Sequence, residues 1–358
     1  MMDDGDLSLI VGGRTISGWT DIRLTRGVER CPSDFELGLT DSAPDSVSEV
    51  TVQPGDACEI RLGNDLVLTG YVDRFVPSYS PGSHQIRVSG RGKCQDLVDC
   101  SAVWPNSQMN GTSALDIATK LAAHYGITVS CDVPNLVAIP LFNVLVGETP
   151  LEVIERVSRF SQLLVYDGPD GNLILAQATQ QAQAVGGVFE GVNVQSASVA
   201  YSADERYRDY VCFAQSVATL SDAGVGPIWT GSAQDENVKR PREHYVVCEA
   251  PQGYSDLAQR RATWEMNRRA GRSAIVSAVV DSWRDGAGAL WTPNTLVTVS
   301  LPHLKLQPVN WLISEVTYQR SLEGGTTAQL AIMDPRAFLP EPIVLLPLFV
   351  DLSVYGSQ

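Results

Sequence analysis

The chain has 358 residues, of which 44% are hydrophobic and 19% charged, a composition typical of folded globular proteins rather than disordered or fibrous ones. Its net charge of −15 disfavours binding to duplex DNA through the phosphates, which requires clustered lysine and arginine. No apolar run approaches the roughly 20 residues of a membrane-spanning helix, and the acidic start at residues 3–6 is unlike a signal peptide, so we expect a protein made in the cytoplasm.

Residues 1–104 are predicted to form a first small antiparallel β-barrel domain. Short strand-like stretches follow one another with no helix between them, and Gly12-Gly13 has the composition of a hairpin turn. The predicted strands are Leu7–Val11, Thr20–Thr25, Asp34–Leu39, Ala57–Leu62, Leu66–Val76 and Gln85–Arg91.

Residues 105–191 are predicted to form a small α+β module. Ser113 and Thr149 each precede an acidic residue by three positions, as in a capping box, and each is expected to begin a helix with a buried apolar face. Two further strands, Leu163–Tyr166 and Leu173–Ala176, are expected to form a hairpin.

Residues 192–340 are predicted to form a second β-barrel domain. Strand character returns at Val192–Tyr201, Tyr207–Ala214, Tyr245–Glu249 and Ser273–Trp283. A helical insertion interrupts it at about 254–271. The remaining residues, 341–358, form a Pro-rich apolar tail, which either packs on its own barrel or docks on a neighbouring protein.

A weak internal repeat links the two barrel domains. Pro54-Gly55-Asp56 and Pro293-Asn294 each lead into a strand, a turn, a longer strand, a loop and a final strand. The offsets between matching positions are 239 (54 to 293), 244 (72 to 316) and 244 (86 to 330). Chance alignment of two β segments is the alternative to a tandem pair of similar barrels.

The cysteines and histidines indicate no metal or redox site. The seven cysteines are scattered without CxxC spacing and are interpreted as buried hydrophobic side chains in a protein made in a reducing compartment. The four histidines follow no metal-ligand pattern. These residues are Cys31, Cys58, Cys94, Cys100, Cys131, Cys212 and Cys248, with His84, His124, His244 and His303.

No catalytic motif is present either. Residues 167–172 superficially resemble a calcium loop but lack the ligand spacing and the closing glutamate, so a hairpin turn is the better interpretation. Asp96 and Asp99 are the nearest thing to paired carboxylates, but surface aspartates around a turn are far commoner and explain them better. We therefore assign no catalytic, cofactor-binding or metal-binding residue and expect no cofactor.

The charge is distributed unevenly along the chain. Residues 1–60 carry a net charge of −8, and residues 239–272 carry a net charge of +4 from eight bases and four acids. Two solvated faces would explain this pattern. Alternatively, oppositely charged faces meet between neighbouring subunits and fix their register. The eight bases are Lys239, Arg240, Arg242, Arg260, Arg261, Arg268, Arg269 and Arg272.

Several short motifs follow one another across nearly the whole chain. They are Ser89-Gly90-Arg91, residues 96–101, residues 147–150, residues 261–265, residues 269–273, Trp283-Arg284, residues 290–294 and residues 335–338. In this order and spacing they resemble the Mu-like phage tail protein family, whose members form the hub of the contractile tail baseplate.

The resemblance implies a structural hub without enzymatic activity, built from two similar barrels and a small α/β module. Three subunits would form a ring whose six barrels give a pseudo-sixfold arrangement. The expected partners are two further copies of the chain, a sixfold tail tube above, a trimeric central spike below and other baseplate proteins. DNA would pass through the channel only as cargo, and no membrane insertion is expected. Acidic residues on the channel wall would repel the DNA; alternatively, the acidic net charge only keeps the subunit soluble. The protein would thus reside in the virion tail.

Two alternatives stay open. The first is the hub of a tailocin or of a secretion-type contractile device. Such a hub would have a similar sequence, but a VgrG-like spike would carry a long β-helical needle in the same chain. The second is a tail-associated cell-wall hydrolase or carbohydrate-binding enzyme, against which stands the missing acid/base pair.

Overall fold

A computed structural model describes residues 6–41, 52–81, 83–104, 108–178, 182–215, 229–249 and 256–343 of the chain. Within these ranges the protein is mainly β, with one large sheet, three small sheets and a few helices. The mainly-β fold class with α+β insertions predicted from the sequence is therefore confirmed. Most of the apolar tail segment 343–349 lies outside the described residues.

The first part of the chain supplies seven strands of the large sheet. Side chains alternate along them, so that in Ala57–Leu62 every second residue is buried, as the period of a half-buried strand requires. Gly12 and Gly13 both have positive φ, which the predicted hairpin turn needs. The strands are β1 (Leu7–Val11), β2 (Arg14–Ile16), β3 (Asp21–Gly27), β4 (Asp34–Asp41), β5 (Ala57–Leu62), β6 (Asp65–Ser80) and β7 (Ser83–Gly92).

A separate α+β module with its own apolar core follows. Ser113 and Thr149 form the predicted capping boxes at the start of its two longer helices. Cys94 and Leu97 are buried in this core, so the module begins before residue 105, where the sequence had placed its start. Its elements are α1 (Gln95–Asp99), β8 (Gln108–Thr112), α2 (Ala114–Ala123), β9 (Val129–Cys131), β10 (Ile139–Asn143), α3 (Pro150–Phe160), β11 (Leu164–Asp167) and β12 (Leu173–Ala176).

The rest of the described chain forms the second part of the large sheet and an insertion. The insertion is larger than the predicted helix at 254–271, because β15, β16 and β17 form a sheet of their own that packs against α4. The elements are β13 (Gln183–Phe189), β14 (Val194–Tyr201), β15 (Asp209–Gln215), β16 (Trp229–Gln234), β17 (Glu243–Glu249), α4 (Leu257–Arg272), β18 (Ala274–Val280), β19 (Leu296–Leu301), β20 (Leu306–Ser321) and β21 (Gly325–Met333).

The sheet has two halves, which we call the first half (β1–β7) and the second half (β13, β14 and β18–β21). The second half includes β13, which the sequence had assigned to the middle module, because β13 pairs in parallel with β19. The two halves are not separate barrels: β3 pairs with β20 and joins them into one 13-stranded sheet. From β14 at one edge to β2 at the other, the strand order is β14-β18-β21-β20-β3-β4-β7-β6-β5-β1-β2. Off this path, β19 pairs with β20 and β13 pairs with β19.

The two halves repeat the same arrangement, which confirms the predicted internal repeat. β6 and β20 each have 16 residues and begin 241 positions apart (65 and 306). Each strand shifts its register at the same place, between Val72 and Arg74 in β6 and between Ile313 and Glu315 in β20. The offset of 244 read from the sequence was wrong here, because it matched two valines that are not structurally equivalent.

Ionic and polar contacts fix the modules to the sheet. Ser33, before β4, donates hydrogen bonds from its amide and its hydroxyl to the buried Asp167 carboxylate. On the insertion, Arg268 and Arg272 both bind Glu29, at 3.1 and 2.7 Å. The insertion and the middle module are thus both anchored close to the start of β4.

Candidate ring-forming surface

The side of the sheet away from the apolar core carries an ion-pair network where the halves meet. Arg23 contacts Asp34 at 2.8 Å and Glu36 at 3.7 Å, and Arg30 joins Asp34 to Glu315 at 2.8 and 3.0 Å. Arg87 completes the network at 3.9 Å from Glu36. Three arginines thus face three carboxylates, so this part of the surface is polar without being acidic.

The junction between β3 and β20 is tightly packed on both sides. On the core side, Leu24 lies opposite Tyr318, and both side chains are fully buried. The Tyr318 hydroxyl donates to the Trp291 carbonyl, and burial raises the pKa of Tyr318 to about 12. On the polar side, Thr25 lies opposite Thr317 with their Oγ1 atoms 3.2 Å apart. This junction therefore behaves as continuous sheet rather than as a domain boundary.

Two stretches of the sheet lack a neighbouring strand among the described residues. β14 pairs only with β18, and its outer edge is open. Residues 74–79 of β6 pair with β7 on one side, whereas β5 reaches only as far as Tyr71 on the other. Apolar side chains are exposed along both stretches, with Tyr79 84%, Tyr201 53% and Val76 51% accessible. Arg74 is the one charged residue in these two stretches, and an open strand edge with so little charge is a template for pairing with another chain.

The sequence did not reveal the second of these edges. The prediction ended the strand at Val76, but β6 continues to Ser80. Pro77 argues against a central strand, yet it is tolerated at an edge, where its missing N–H has no partner to satisfy. The alternation of apolar and polar residues over 77–80 (Pro77-Ser78-Tyr79-Ser80) is the signal that would have extended the strand.

Much of the basic stretch 239–272 is neutralised within its own subunit. Arg261 and Arg269 bind Glu265, Arg260 binds Asp256, and Arg268 and Arg272 bind Glu29 from the acidic first 60 residues. These intramolecular ion pairs involve five of the eight bases, so those five arginines have acidic partners without a neighbouring subunit.

The histidines and acidic residues considered from the sequence are dispersed over the structure. His244 stacks on Tyr207, and burial together with nearby Arg269 lowers its pKa. Asp99 accepts a bidentate contact from Arg91, which lowers the pKa of that carboxyl, whereas burial raises the pKa of Asp96. In the described ranges no three His, Cys, Asp or Glu side chains converge as metal ligands would.

The 167–172 turn is a hairpin between β11 and β12, as predicted. Gly171 has the positive φ of a turn residue, and Asp170 accepts hydrogen bonds from Asn172. Asp167 points away from this turn and accepts from Ser33 instead. The turn therefore brings no set of oxygen ligands together around one point.

The seven cysteines are all unpaired thiols. Cys58, Cys94 and Cys212 are buried, and burial raises the pKa of Cys58 and of Cys212 to about 12. The other four are half-buried. A thiol with so high a pKa is a poor nucleophile, so the buried cysteines act as small apolar side chains.

The motif residues at the end of the chain are structural anchors. Trp283 and Trp291 are buried in the core of the sheet, and Arg284 crosses to the first half, where it contacts Asp65 at 2.7 Å. Beyond β21, the Leu339 carbonyl accepts a hydrogen bond from the indole N–H of Trp264 in α4, at 2.6 Å. The chain before the tail therefore lies on α4 of its own subunit.

No described helix is both long and apolar enough to cross a membrane.

Known structures place this architecture among phage tail proteins. The 43 kDa tail protein of prophage MuSo2 from Shewanella oneidensis superposes with a TM-score of 0.83 at 29% identity, covering 93% of this chain and 99% of that one. A type VI secretion component of Escherichia coli, described as structurally similar to T4 bacteriophage tail proteins gp27 and gp5, shares the fold. It has a TM-score of 0.56 at 12% identity, over 95% of this chain and 80% of that one. The two-half sheet with its appended modules is thus a phage tail protein fold.

Sequence comparison narrows this class. Residues 6–92 match "Mu phage baseplate assembly protein GpP-like, N-terminal", residues 94–177 match "Baseplate hub protein gp44-like, second domain", and residues 255–341 match "Mu phage baseplate assembly protein GpP, fourth domain". The baseplate hub protein gp44 of Escherichia phage Mu is 29% identical over 341 residues, 93% of this chain and 89% of that protein. The chain belongs to the Mu-like phage baseplate hub family, as its motifs predicted.

Proposed function

We propose that the protein is a non-enzymatic structural hub at the centre of a contractile phage tail baseplate, and that three copies form a ring. The observation that carries this proposal is the repeat of one strand arrangement within a chain of the hub family. Two equivalent half-sheets per chain give six around a threefold axis. Such a ring matches a sixfold tail tube on one side and a threefold central spike on the other.

The polar side of the sheet is the surface we assign to the channel, through which DNA would pass as cargo during ejection. Its ion-pair network is neutral, because each arginine faces a carboxylate. The expected acid-lined wall finds no support in this part of the surface. A hydrophilic wall without clustered lysine and arginine would still give the phosphates no fixed positive charge to bind.

Outside the ring, the remaining contacts would be with other baseplate proteins. The segment up to Leu339 lies on α4 of its own subunit, and docking on a neighbouring protein stays a prediction for the tail residues outside the described ranges. We assign the protein to the virion tail after assembly in the host cytoplasm, without membrane insertion.

A tailocin or secretion-type injection device is the second candidate. The E. coli type VI secretion component shares the fold, so the fold alone does not distinguish such a device from a phage tail. Headless particles in a lysate of the source strain would favour a tailocin. A cell-wall hydrolase would release soluble fragments from purified peptidoglycan, and we expect none from this protein.

Solution mass tests the ring directly. Light scattering on the purified protein is expected to give three times the 38.7 kDa chain mass, with ring-shaped particles in negative stain. The same measurement with the tail tube and spike proteins added tests whether they are needed for assembly. A chain that stays monomeric alone and with both partners contradicts the proposed hub.

A further inference from the structure

We propose that the ring closes by strand addition, with β14 of one copy pairing antiparallel to residues 74–79 of β6 in the next copy. This inference rests on the trimeric hub proposed above and identifies the surfaces that join its subunits. The partner is a second copy of this chain, because each chain carries both edges and already contains the equivalent junction once.

The junction inside the chain supplies the template. The first part of β20, Leu306–Leu312, pairs with β19, and after the register shift residues 315–320 pair with β3 on the same side. β6 begins in the same way, since its residues 65–71 pair with β5. After its own register shift, residues 74–79 have no described strand beside them. Among the described residues, the place that β3 fills beside β20 is therefore open beside β6.

β14 is the counterpart of β3 in the second half. In the first half, Leu24 of β3 lies opposite Phe35, which lies opposite Gly90 of β7. In the second half, Val199 of β14 lies opposite Val276, which lies opposite Ile332 of β21. The two series match strand by strand. β3 is covered by β20, whereas β14 ends the sheet.

Superposing the internal junction on the open edges gives a specific register. On the core side, Tyr201 would lie opposite Phe75, Val199 opposite Pro77, and Ala197 opposite Tyr79. On the polar side, Ala200 would lie opposite Val76 and Ser198 opposite Ser78. These pairs copy the internal register of β3 with β20. There, in the same order, Arg26, Leu24, Ile22, Thr25 and Arg23 lie opposite Val316, Tyr318, Arg320, Thr317 and Gln319.

The chemistry of the two edges fits this pairing. Neither residues 194–201 nor residues 75–80 contain a charged side chain, and the core-side pairs are apolar. Leu24 and Tyr318 are fully buried at the internal junction, whereas their counterparts Val199 and Pro77 remain partly or largely exposed. Pairing would complete the burial of these core-side side chains. Because Pro77 lacks the N–H that Tyr318 has, we expect at least one ladder hydrogen bond fewer at this seam than at the junction between β3 and β20.

A disulfide across the proposed seam tests the register. Val76→Cys and Ala200→Cys replace exposed side chains at the counterparts of Thr317 and Thr25, whose Oγ1 atoms lie 3.2 Å apart. We expect oxidation of a mixture of the two single variants to give a disulfide-linked dimer in non-reducing gels, and neither variant alone to give it. The double variant is expected to give covalent trimers.

The matched control moves one position along β14. Val199→Cys points to the other side of the sheet, so a mixture of it with Val76→Cys should not cross-link. Trimeric protein in which Val76→Cys and Ala200→Cys do not cross-link, or in which Val199→Cys cross-links equally well, overturns the strand pairing and leaves the ring intact. A wild-type chain that never forms a trimer instead overturns the hub proposal.

Discussion

Asp167 shows how a single buried charge joins two modules. Its carboxylate, 3% exposed, accepts from the amide of Ser33 at 3.0 Å and from its hydroxyl at 2.8 Å. Burial raises the pKa of Asp167, and the bonds from Ser33 oppose that rise only in part. The folded protein therefore favours the protonated carboxyl relative to the unfolded chain, in which its pKa is about 3.9.

The stability difference between wild type and Asp167→Asn should consequently depend on pH. The carboxyl's stabilising contribution is complete below the unfolded pKa and is lost as the pH rises through the raised folded pKa. We expect the melting temperature of Asp167→Asn, relative to wild type, to increase from pH 4 to pH 7 in thermal unfolding. Asp132→Asn, at an exposed position of the same module, is the control and should show no such trend. A pH-independent difference for Asp167→Asn would contradict this account.

At the level of elements, the two halves achieve the same strand order with different packing. A Cβ on Gly90 of β7 would lie 2.1 Å from the Tyr71 carbonyl oxygen and 2.7 Å from the Phe35 ring. Its counterpart in the second half is Ile332, which lies opposite the smaller Val276. Large and small side chains have thus changed places between the strands, so the halves share a strand order but fill it with different side chains.

Gly90→Ala should therefore destabilise the first half. The contact is with backbone as well as with the Phe35 ring, so a rotamer change cannot relieve it, and we expect a loss of about 1–3 kcal/mol or more. The shift of the urea unfolding midpoint measures this loss. Ser89→Ala, one residue earlier and half-buried, is the matched control and should unfold close to wild type. Equal midpoints for the two variants would show that the strands can move apart at little cost.

Local rules predicted many of the elements but not how they join. The capping residues Ser113 and Thr149, the hairpin turns and the strands with regular alternation were identified because a few neighbouring residues determine them. β13 and β16 were missed because each contains glycine and little alternation, so only long-range pairing stabilises them as strands. The domain boundaries shifted for the same reason: Cys94 and β13 belong to their modules through distant contacts.

For the molecule as a whole, ion pairs within the subunit join the acidic region to other parts of the chain. Glu29 from the acidic region pairs with Arg268 and Arg272 from the basic region, and Asp6 pairs with Arg320. The edges assigned to the ring seams, by contrast, contain only one charged residue, Arg74. Sequence alone could count these charges but could not show which pairs form, because that depends on the folded chain.

The trimer should therefore tolerate high salt. Screening at 1 M reduces the reach of charge interactions to about 3 Å, whereas strand pairing and apolar burial are not weakened by it. We expect the mass measured by light scattering to stay trimeric from 50 mM to 1 M NaCl. Dissociation into monomers at high salt would instead indicate that subunits are held together through their oppositely charged regions.

The continuous run of strands also sets the width of the proposed channel. Eight strands, β14 to β6, separate one seam from the next, so three copies would form a closed cylinder of 24 strands. At about 4.8 Å per strand, its circumference is roughly 115 Å and its backbone diameter roughly 37 Å, and strand tilt widens it further. Side chains extending about 5 Å from each wall leave an aperture of at least roughly 27 Å before strand tilt widens it. The number of strands thus sets a minimum aperture, and substitutions on the wall can change its chemistry far more easily than its size.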